Sequence, residues 1–364
     1  MEEKTENIEN IHRNNIDIKY IFLRSETLKN EFRTPLVPDD VPTLINNGII
    51  VYVESCSKRI YKDEEFSEKG AIITYSPWYS HEWDSIKNDM IIIGIKELID
   101  LEKLNGHIHC YFSHSFKGQK DSSLILESFK KTSSVLCDFE YFLYENKRLI
   151  SFSYFAGVTG CALGLCQYIL KLKGNPPLKN LKLWTELSFM IKTVNRFIYC
   201  MNSVELRNTK IAIIGDGACA KGVKFILNTI GLPYKLFLKE EPKDSLDEYN
   251  IIYNCIKLDD KSNEIFISTE KANHIKKNMI IVDISCDSNK YNNPIPLYKE
   301  ETTWESPVFS YNKWIDIIAI SNLPSLLPKE SSDYFSKKLL DILFYPSLKK
   351  SWGCCVESYL KALK

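Results

Sequence analysis

The stretch KIAIIGDGACAKG, residues 210–222, decides the fold class. Its apolar run at 211–214 predicts a strand, and an amphipathic helix begins near Cys219. Between them, Gly215 permits a tight turn and Gly217 lets backbone N–H groups approach a phosphate. The third glycine, Gly222, comes two residues later than in the usual G-x-G-x-x-G spacing. The pattern favours a dinucleotide-binding turn, and a strand-to-helix turn without a ligand is the alternative.

Apolar runs of strand length alternate with helical patterns on both sides of this stretch. That alternation predicts parallel strands joined by right-handed crossovers, and therefore an α/β protein with parallel-sheet cores. The predicted strands before the stretch are 18–23, 49–54, 71–74, 90–97, 109–112 and 134–140, and those after it are 235–238, 251–255, 279–285 and 315–320.

Composition limits the classes of function. A chain of 364 residues exceeds the usual size of one core, so two domains are expected. The 47 Lys and Arg residues balance the 47 Asp and Glu residues without a basic stripe, which argues against a nucleic-acid partner. Residues 1–17 are polar and predict a disordered tail without a signal core, and the longest apolar runs are expected to be too short to span a membrane.

The cysteines predict reduced thiols and no metal site. There are 11 of them, an odd number, and none forms a C-x-x-C pair. Together with the absence of a signal core, this favours a cytoplasmic protein.

Ionisable residues follow the successive strands of the first half of the chain. Lys96 and Glu97 end the run at 90–97, and His114 follows the run at 109–112. Ligands of open α/β sheets gather at the carboxyl ends of the strands, where lysine or histidine beside a carboxylate can perform acid–base chemistry. For any one residue the alternative is an exposed charge at a strand end. The remaining members of the set are Arg33, Lys117, Glu140 and Arg148.

Nine short segments, in order over nearly the whole chain, carry a family resemblance. They are LRSE (23–26), IIIGIKE (91–97), SHSFKGQ (113–119), CDFE (137–140), YFAG (154–157), NCI (254–256), IVDIS (281–285), NPIP (293–296) and LPSLLP (323–328). Together they resemble the lysine-forming saccharopine dehydrogenases, which are grouped with alanine dehydrogenase and transhydrogenase. The resemblance implies two Rossmann-like domains with the site in the cleft between them. Residues 18–154 with 325–364 would form the substrate-side domain, and 155–324 the dinucleotide-binding domain.

The same resemblance implies a reaction and a role for each ionisable residue. The reaction is NAD-dependent oxidative deamination of saccharopine to lysine and 2-oxoglutarate through an imine, or the reverse reductive condensation. Lys96 would accept the amine proton and His114 would serve the imine and carbinolamine steps as acid and base, while Glu97 and Glu140 would tune them. The groups implied to hold substrate carboxylates are Arg33, Lys117 and Arg148.

The cofactor site departs from the family pattern. An acidic residue should end the second strand of the nucleotide domain and bind the adenosine ribose, but Leu238 stands there. Glu240 or Glu241 could replace it; alternatively, Lys239 could bind a 2′-phosphate and favour NADP. The residues implied to bind the cofactor are Gly215, Gly217, Gly222, Lys239, Asp283 and Leu323.

Two further alternatives stay open. Cys219 and Cys255 match family cysteines that can form a disulfide, but free buried thiols are favoured in a reducing compartment. The chain could also be a non-catalytic relative that binds an amino acid or a partner, or an NADP-preferring opine-type reductase with a different substrate.

Overall fold

The computed structural model describes residues 18–116, 121–239, 241–256, 262, 264–286, 293–345, 347–348 and 350–363. The predicted tail at 1–17 lies outside these residues. The chain divides into two units by its internal contacts. The first unit comprises Met1–Ser151 and Ser331–Lys364, and the second comprises Phe152–Glu330.

The first unit contains a parallel sheet of six strands in the order β3-β2-β1-β4-β5-β6. Its strands are β1 (Tyr20–Leu23), β2 (Ile50–Glu54), β3 (Ile72–Thr74), β4 (Met90–Ile93), β5 (Ile108–Tyr111) and β6 (Val135–Asp138), with helices α1 (Val41–Asn46), α2 (Asp63–Glu68) and α3 (Ser122–Lys131). Every residue of β4, β5 and β6 is buried, as near-continuous apolar runs require. The strand order reverses between β1 and β4, which makes their carboxyl ends a switch point where ligands of such sheets bind.

A short hairpin follows this sheet. Strands β7 (Leu143–Tyr144) and β8 (Lys147–Arg148) pair antiparallel, with Arg148 opposite Leu143. The two turn residues, Glu145 and Asn146, have φ of 48° and 59°, the left-handed conformation that a tight two-residue hairpin requires. The turn therefore fixes the register that presents Arg148.

The second unit also contains a sheet of six strands, in the order β10-β9-β11-β12-β14-β13. Its strands are β9 (Ile211–Ile214), β10 (Lys235–Phe237), β11 (Ile251–Asn254), β12 (Met279–Asp283), β13 (Phe309–Ser310) and β14 (Ile315–Ile318), with helices α4 (Ser153–Leu172), α5 (Leu187–Ile198), α6 (Ser203–Asn208), α7 (Ala218–Ile230) and α8 (Thr269–His274). Among the described strands of this sheet, only the edge strand β13 pairs antiparallel. The prediction of an α/β fold with parallel-sheet cores is confirmed. The closing helices are α9 (Pro328–Phe344) and α10 (Lys350–Ala362).

Helix α4 corrects one expectation from the sequence. It has 20 residues and a mean hydropathy of 1.4, so by length and composition alone it could cross a membrane. The expectation that no apolar run is long enough is therefore wrong. In the structure 78% of its apolar window is buried, as in the core helix of a globular unit.

Glycines explain how α4 packs so closely on α7. A Cβ at Gly157 would lie 1.9 Å from the Cys219 carbonyl oxygen, and one at Gly222 would lie 2.0 Å from the Tyr154 carbonyl oxygen. No side chain fits at such separations, so the two helix backbones touch at both glycines. The contact holds the start of α7, and with it the glycine loop, against the long buried helix.

Candidate active site

Lys96 lies just beyond β4, at the switch point of the first sheet. Its strand ends at Ile93 instead of the predicted residue 97, because the N–H groups of Ile95 and Lys96 bond to the Glu26 side chain after β1 and not to a neighbouring strand. Glu26 accepts hydrogen bonds from the N–H groups of Ile95 at 2.5 Å and Lys96 at 3.0 Å. The Arg24 guanidinium donates to the Lys96 carbonyl oxygen. The main chain of Lys96 is therefore held on both sides.

The two groups that hold Lys96 are themselves a buried ion pair. Arg24 and Glu26 are 4% and 7% exposed, and Arg24 Nη1 lies 3.6 Å from Glu26 Oε2. Burial raises the pKa of the Glu26 carboxyl, although the Arg24 charge opposes that shift. Gly94 makes room for the guanidinium, since a Cβ there would lie 2.3 Å from Arg24 Nε.

Arg33 forms a second buried pair, with Glu31. Its Nε and Nη2 donate to the two Glu31 carboxylate oxygens at 2.7 Å and 2.5 Å, a bidentate geometry. Burial alone would raise the pKa of the Glu31 carboxyl, but Arg33, with help from the Lys96 charge, lowers it on balance. The Lys96 ammonium is thus close enough to interact with this pair.

His114 follows β5 and faces a carboxylate. Its Nδ1 lies 3.7 Å from Glu140 Oε1, and its ring stacks on Phe112 at 6.2 Å between centroids. The same Glu140 oxygen lies 3.0 Å from Arg148 Nη2. The His114 side chain is 43% exposed and the Glu140 side chain 11% exposed. The partly exposed His114 imidazole and the Arg148 guanidinium thus share the Glu140 carboxylate.

The glycine loop of the second unit joins β9 to α7, at the point where that sheet reverses its strand order. Gly215 has φ of +99°, and a Cβ there would lie 2.6 Å from Ile256 Cγ1. At Gly217, the N-cap of α7, a Cβ would meet no described atom within 4 Å, and no side chain of the described residues caps the helix. These side chains therefore leave the start of α7 uncovered at Gly217. This arrangement fits the pyrophosphate of a dinucleotide.

Comparison with known proteins places the chain in a family. Residues 22–159 match the family model of the alanine dehydrogenase/PNT N-terminal domain. A protein of Candida glabrata named saccharopine dehydrogenase (NAD(+), L-lysine-forming) is 32% identical over 341 residues, which cover 89% of this chain and 90% of the relative. The chain belongs to the lysine-forming saccharopine dehydrogenase family. A protein of the same name from Emericella nidulans is 30% identical, with coverage of 89% and 91%.

The fold of this saccharopine dehydrogenase family member agrees with a solved structure. An L-alanine dehydrogenase matches with a TM-score of 0.64 at 13% identity, covering 89% of this chain and 88% of its own. At that identity the likeness concerns the fold alone, which is of the Rossmann type.

The structure brings together part of the predicted acid–base set of this family member. His114, Glu140 and Arg148 form one cluster, whereas the Lys96 charge acts on the separate Glu31–Arg33 pair. Glu97 is exposed and lines a small cavity of about 80 Å³ with Arg24 and Glu54. Lys117 lies outside the described residues. The predicted roles of these residues stay predictions.

The predicted cofactor residues divide into two groups. Gly215 and Gly217 form the turn, whereas Gly222 packs on α4 one helical turn away. The Asp283 carboxylate is buried and accepts hydrogen bonds from the side chains of Asn254, Ser285 and Tyr298 and from the Cys286 N–H. Leu323 is buried, and its carbonyl oxygen accepts a bond from the Thr159 hydroxyl at 3.0 Å. These contacts give Gly222, Asp283 and Leu323 packing roles, and their predicted cofactor contacts stay predictions.

Cys219 and Cys255 are neighbours in this saccharopine dehydrogenase family member. Burial, followed by the adjacent Cys219 thiol, raises the pKa of Cys255 well above its ordinary value. All 11 cysteines, Cys219 and Cys255 among them, are free thiols in the structure.

Sequence reasoning missed the buried residues that hold the site. Arg24 and Glu26 follow the first strand directly and Asp138 ends β6, so a polar residue at the end of an apolar strand was the available signal; Glu31, eight residues beyond β1, had no such signal. Among the residues that the structure describes, no three His, Cys, Asp or Glu side chains are placed to hold a metal ion.

Proposed function

We propose that this protein is an NAD-dependent oxidoreductase that interconverts saccharopine with lysine and 2-oxoglutarate. The observation that carries the proposal is the 32% identity, over nearly the full length of both chains, to a relative named for that activity. The positions of Lys96 just beyond β4 and of the His114–Glu140 pair just beyond β5 and β6, at the carboxyl ends of parallel strands, support an enzyme over a non-catalytic relative. On the composition alone we also propose a cytoplasmic location.

Lys96 is proposed as the base for the secondary amine. Bound NAD supplies a hydride acceptor, and hydride departs from the carbon only when the nitrogen has a free electron pair. The lysine amine would take the amine proton first, so it must reach the substrate nitrogen from a fixed backbone. The hydrogen bonds from Arg24 and to Glu26 provide that backbone.

His114 is proposed as the acid–base group of the hydrolytic steps. Water adds to the carbon–nitrogen double bond, and the resulting carbinolamine must lose a hydroxyl proton while its nitrogen gains one. An imidazole can perform both transfers, and a side chain that is 43% exposed can reach the substrate. Glu140, 3.7 Å from Nδ1, would stabilise the imidazolium formed between the two transfers.

The cationic residues are proposed to bind substrate carboxylates. A guanidinium holds a carboxylate through two parallel hydrogen bonds. Arg148 is one third exposed and already shares Glu140, so it is placed to accept a substrate group beside His114. Arg33 is buried and paired with Glu31, and its part in binding a substrate carboxylate is proposed on the resemblance alone.

Glu241 is proposed to replace the missing ribose carboxylate. Its Oε2 accepts a hydrogen bond from the Leu238 N–H at 3.0 Å, and its own N–H donates to the Leu238 carbonyl oxygen at 3.2 Å. The carboxylate is thereby folded back to the end of β10, where the ribose hydroxyls of a Rossmann-bound dinucleotide lie. The other candidate, Glu240, lies outside the described residues.

A buried lysine holds the loop that carries Glu241. Lys243 Nζ donates to the carbonyl oxygens of Lys239 at 2.8 Å and Glu241 at 2.6 Å, and it pairs with Glu264 at 2.9 Å. These contacts of Lys243 therefore hold the loop in place. A carboxylate at this strand end repels a 2′-phosphate, so NAD is expected to bind in preference to NADP, in agreement with the relatives named for NAD.

Product analysis tests the proposed reaction. Purified protein is incubated with saccharopine and NAD, and the mixture is analysed by mass spectrometry. Lysine and 2-oxoglutarate should appear in equal amounts with NADH. Absence of both products with NAD and with NADP would refute the proposed substrate.

A further inference from the structure

Asp138 is a buried carboxylate that bonds to both members of the His114–Glu140 pair. It ends β6 and is fully buried, opposite Tyr111 in the register of β5. Its Oδ2 accepts hydrogen bonds from the Ser113 hydroxyl at 2.7 Å and the His114 N–H at 3.1 Å. Its Oδ1 accepts the Glu140 N–H at 2.8 Å. One rigid group therefore bonds to the backbone of both residues.

His114 needs such an anchor because its backbone is strained. Its φ is 52°, in the left-handed region that residues with a side chain rarely adopt. The hydrogen bond from its N–H to Asp138 fixes this peptide after β5. Without it, the residue would relax toward an ordinary backbone conformation and the imidazole would turn away from Glu140.

The second carboxylate oxygen of Asp138, Oδ1, orients Glu140. Asp138 is the N-cap of the short helical turn Phe139–Tyr141, and its side chain accepts the Glu140 N–H. N-cap carboxylates satisfy N–H groups that a helical turn leaves unpaired. The bond sets the direction in which Glu140 leaves the chain, toward both His114 and Arg148.

We propose that Asp138 is a positioning residue that sets the separation between the His114 imidazole and the Glu140 carboxylate. It acts through these two residues and does not touch the substrate. The inference rests on the proposed function for its catalytic consequence, because only a catalytic His114 makes the separation matter for turnover. The geometric part stands on the hydrogen bonds alone.

Asp138→Asn is the direct test. Asparagine keeps the size of the side chain but has one acceptor oxygen. It can therefore accept only one of the two backbone N–H groups, from His114 or from Glu140, and it turns an amide N–H₂ toward the other. We expect kcat to fall about 10- to 100-fold, as displacement of a catalytic group by about 1 Å does. The KM for NAD should change less than about twofold, since no nucleotide contact is altered.

Two comparisons separate positioning from a general structural effect. Ser113→Ala removes a hydroxyl partner of Asp138 but leaves its hydrogen bonds from the His114 and Glu140 N–H groups, and its kcat should stay within about threefold of wild type. In a double-mutant cycle, Asp138→Asn should add little to the loss caused by Glu140→Gln, because both disturb the same pair. Multiplicative losses would overturn the proposal.

A spectroscopic readout keeps the inference independent of the reaction. With ring-labelled histidine, the His114 resonance is assigned by its loss in His114→Asn. It should be displaced in the same direction in Asp138→Asn and Glu140→Gln, and it should stay in place in Ser113→Ala. If the wild type shows no turnover while this pattern holds, the proposed function fails and the positioning role stands. An unmoved resonance in Asp138→Asn would overturn the positioning role.

A second variant covers the case in which Asp138→Asn does not fold. Asp138→Glu keeps the charge and both acceptor oxygens but moves them outward by one methylene. A role limited to charge predicts wild-type turnover for this variant. A positioning role predicts loss of turnover together with a displaced His114 resonance, and wild-type values of both would refute it.

Discussion

Glu241→Gln tests whether the cofactor site of this protein has moved its ribose carboxylate by three residues along the chain. Glu241 is folded onto the end of β10 through the Leu238 N–H. Glutamine can keep that bond through its amide oxygen, so the loop should be preserved and only the charge lost. The change therefore removes charge-assisted acceptance of the ribose hydroxyls and little else.

The size of the effect follows from the kind of bond. Hydrogen bonds to charged groups contribute about 1.5–3 kcal/mol, and each 1.4 kcal/mol is about a tenfold change in affinity. Because Glu241 is exposed and the amide oxygen stays an acceptor, we expect the lower end, about tenfold weaker NADH binding. NADPH should bind as well as before or more tightly, since a repulsive charge is gone.

The assay is direct titration of each nucleotide by calorimetry at fixed ionic strength, which needs no substrate. Glu248→Gln is the matched control, because Glu248 is an exposed glutamate of the same unit that pairs with Lys210 at 3.3 Å. Lys239→Ala tests the competing interpretation and should leave NADH binding within about twofold. Unchanged NADH binding in Glu241→Gln, together with a selective loss of NADPH binding in Lys239→Ala, would show that Glu241 does not bind the ribose and that Lys239 binds a 2′-phosphate.

Three further changes test the acid–base site and the packing. Lys96→Met should lower kcat about 10²- to 10⁴-fold by steady-state kinetics while nucleotide binding by calorimetry stays at wild-type affinity, and full activity would remove Lys96 from the chemistry. Gly222→Ala places a methyl group 2.0 Å from a carbonyl oxygen of α4, so it should cost about 1–3 kcal/mol and lower the calorimetric Tm by about 2–12 °C, more than Gly160→Ala, whose Cβ would meet only side chains. Arg33→Met leaves Glu31 buried without its main cation and should cost about 3–5 kcal/mol in urea denaturation. Because the net pKa of Glu31 is lowered in the folded wild type, the stability that the pair contributes should be full above pH 4.5, the ordinary value, and should be lost as the pH falls below it, so the difference from the variant should shrink at acidic pH. A difference that is constant down to pH 3 would contradict the assigned pairing.

The sequence indicated where the ionisable groups come from but not what holds them. Lys96 and His114 could be placed near strand ends because an apolar run followed by polar residues is a local pattern in the sequence. Arg24 and Glu26 bond to the chain beyond β4, about seventy residues away, and no local pattern carries that pairing. For the same reason the predicted strand at 90–97 extended four residues too far.

The cofactor loop shows the same limit in another form. Gly215 and Gly217 were readable as a turn, because a positive φ and an open approach each require glycine. Gly222 was read with them from its position in the motif, but its contact is a backbone in a helix that begins 69 residues earlier, at Ser153. The Glu241 carboxylate bonds to the Leu238 N–H in a loop that Lys243 holds, and Lys243 is itself held by a tertiary ion pair with Glu264.

We propose that this chain joins lysine to 2-oxoglutarate with a nicotinamide cofactor. The reaction is tested most directly by the initial rate of NADH oxidation, followed at 340 nm, with both compounds present and with each omitted in turn. Oxidation should require lysine and 2-oxoglutarate together, fall sharply in Lys96→Met and be slower with NADPH. A flat trace with both nucleotides, from folded protein that binds NADH, would contradict it.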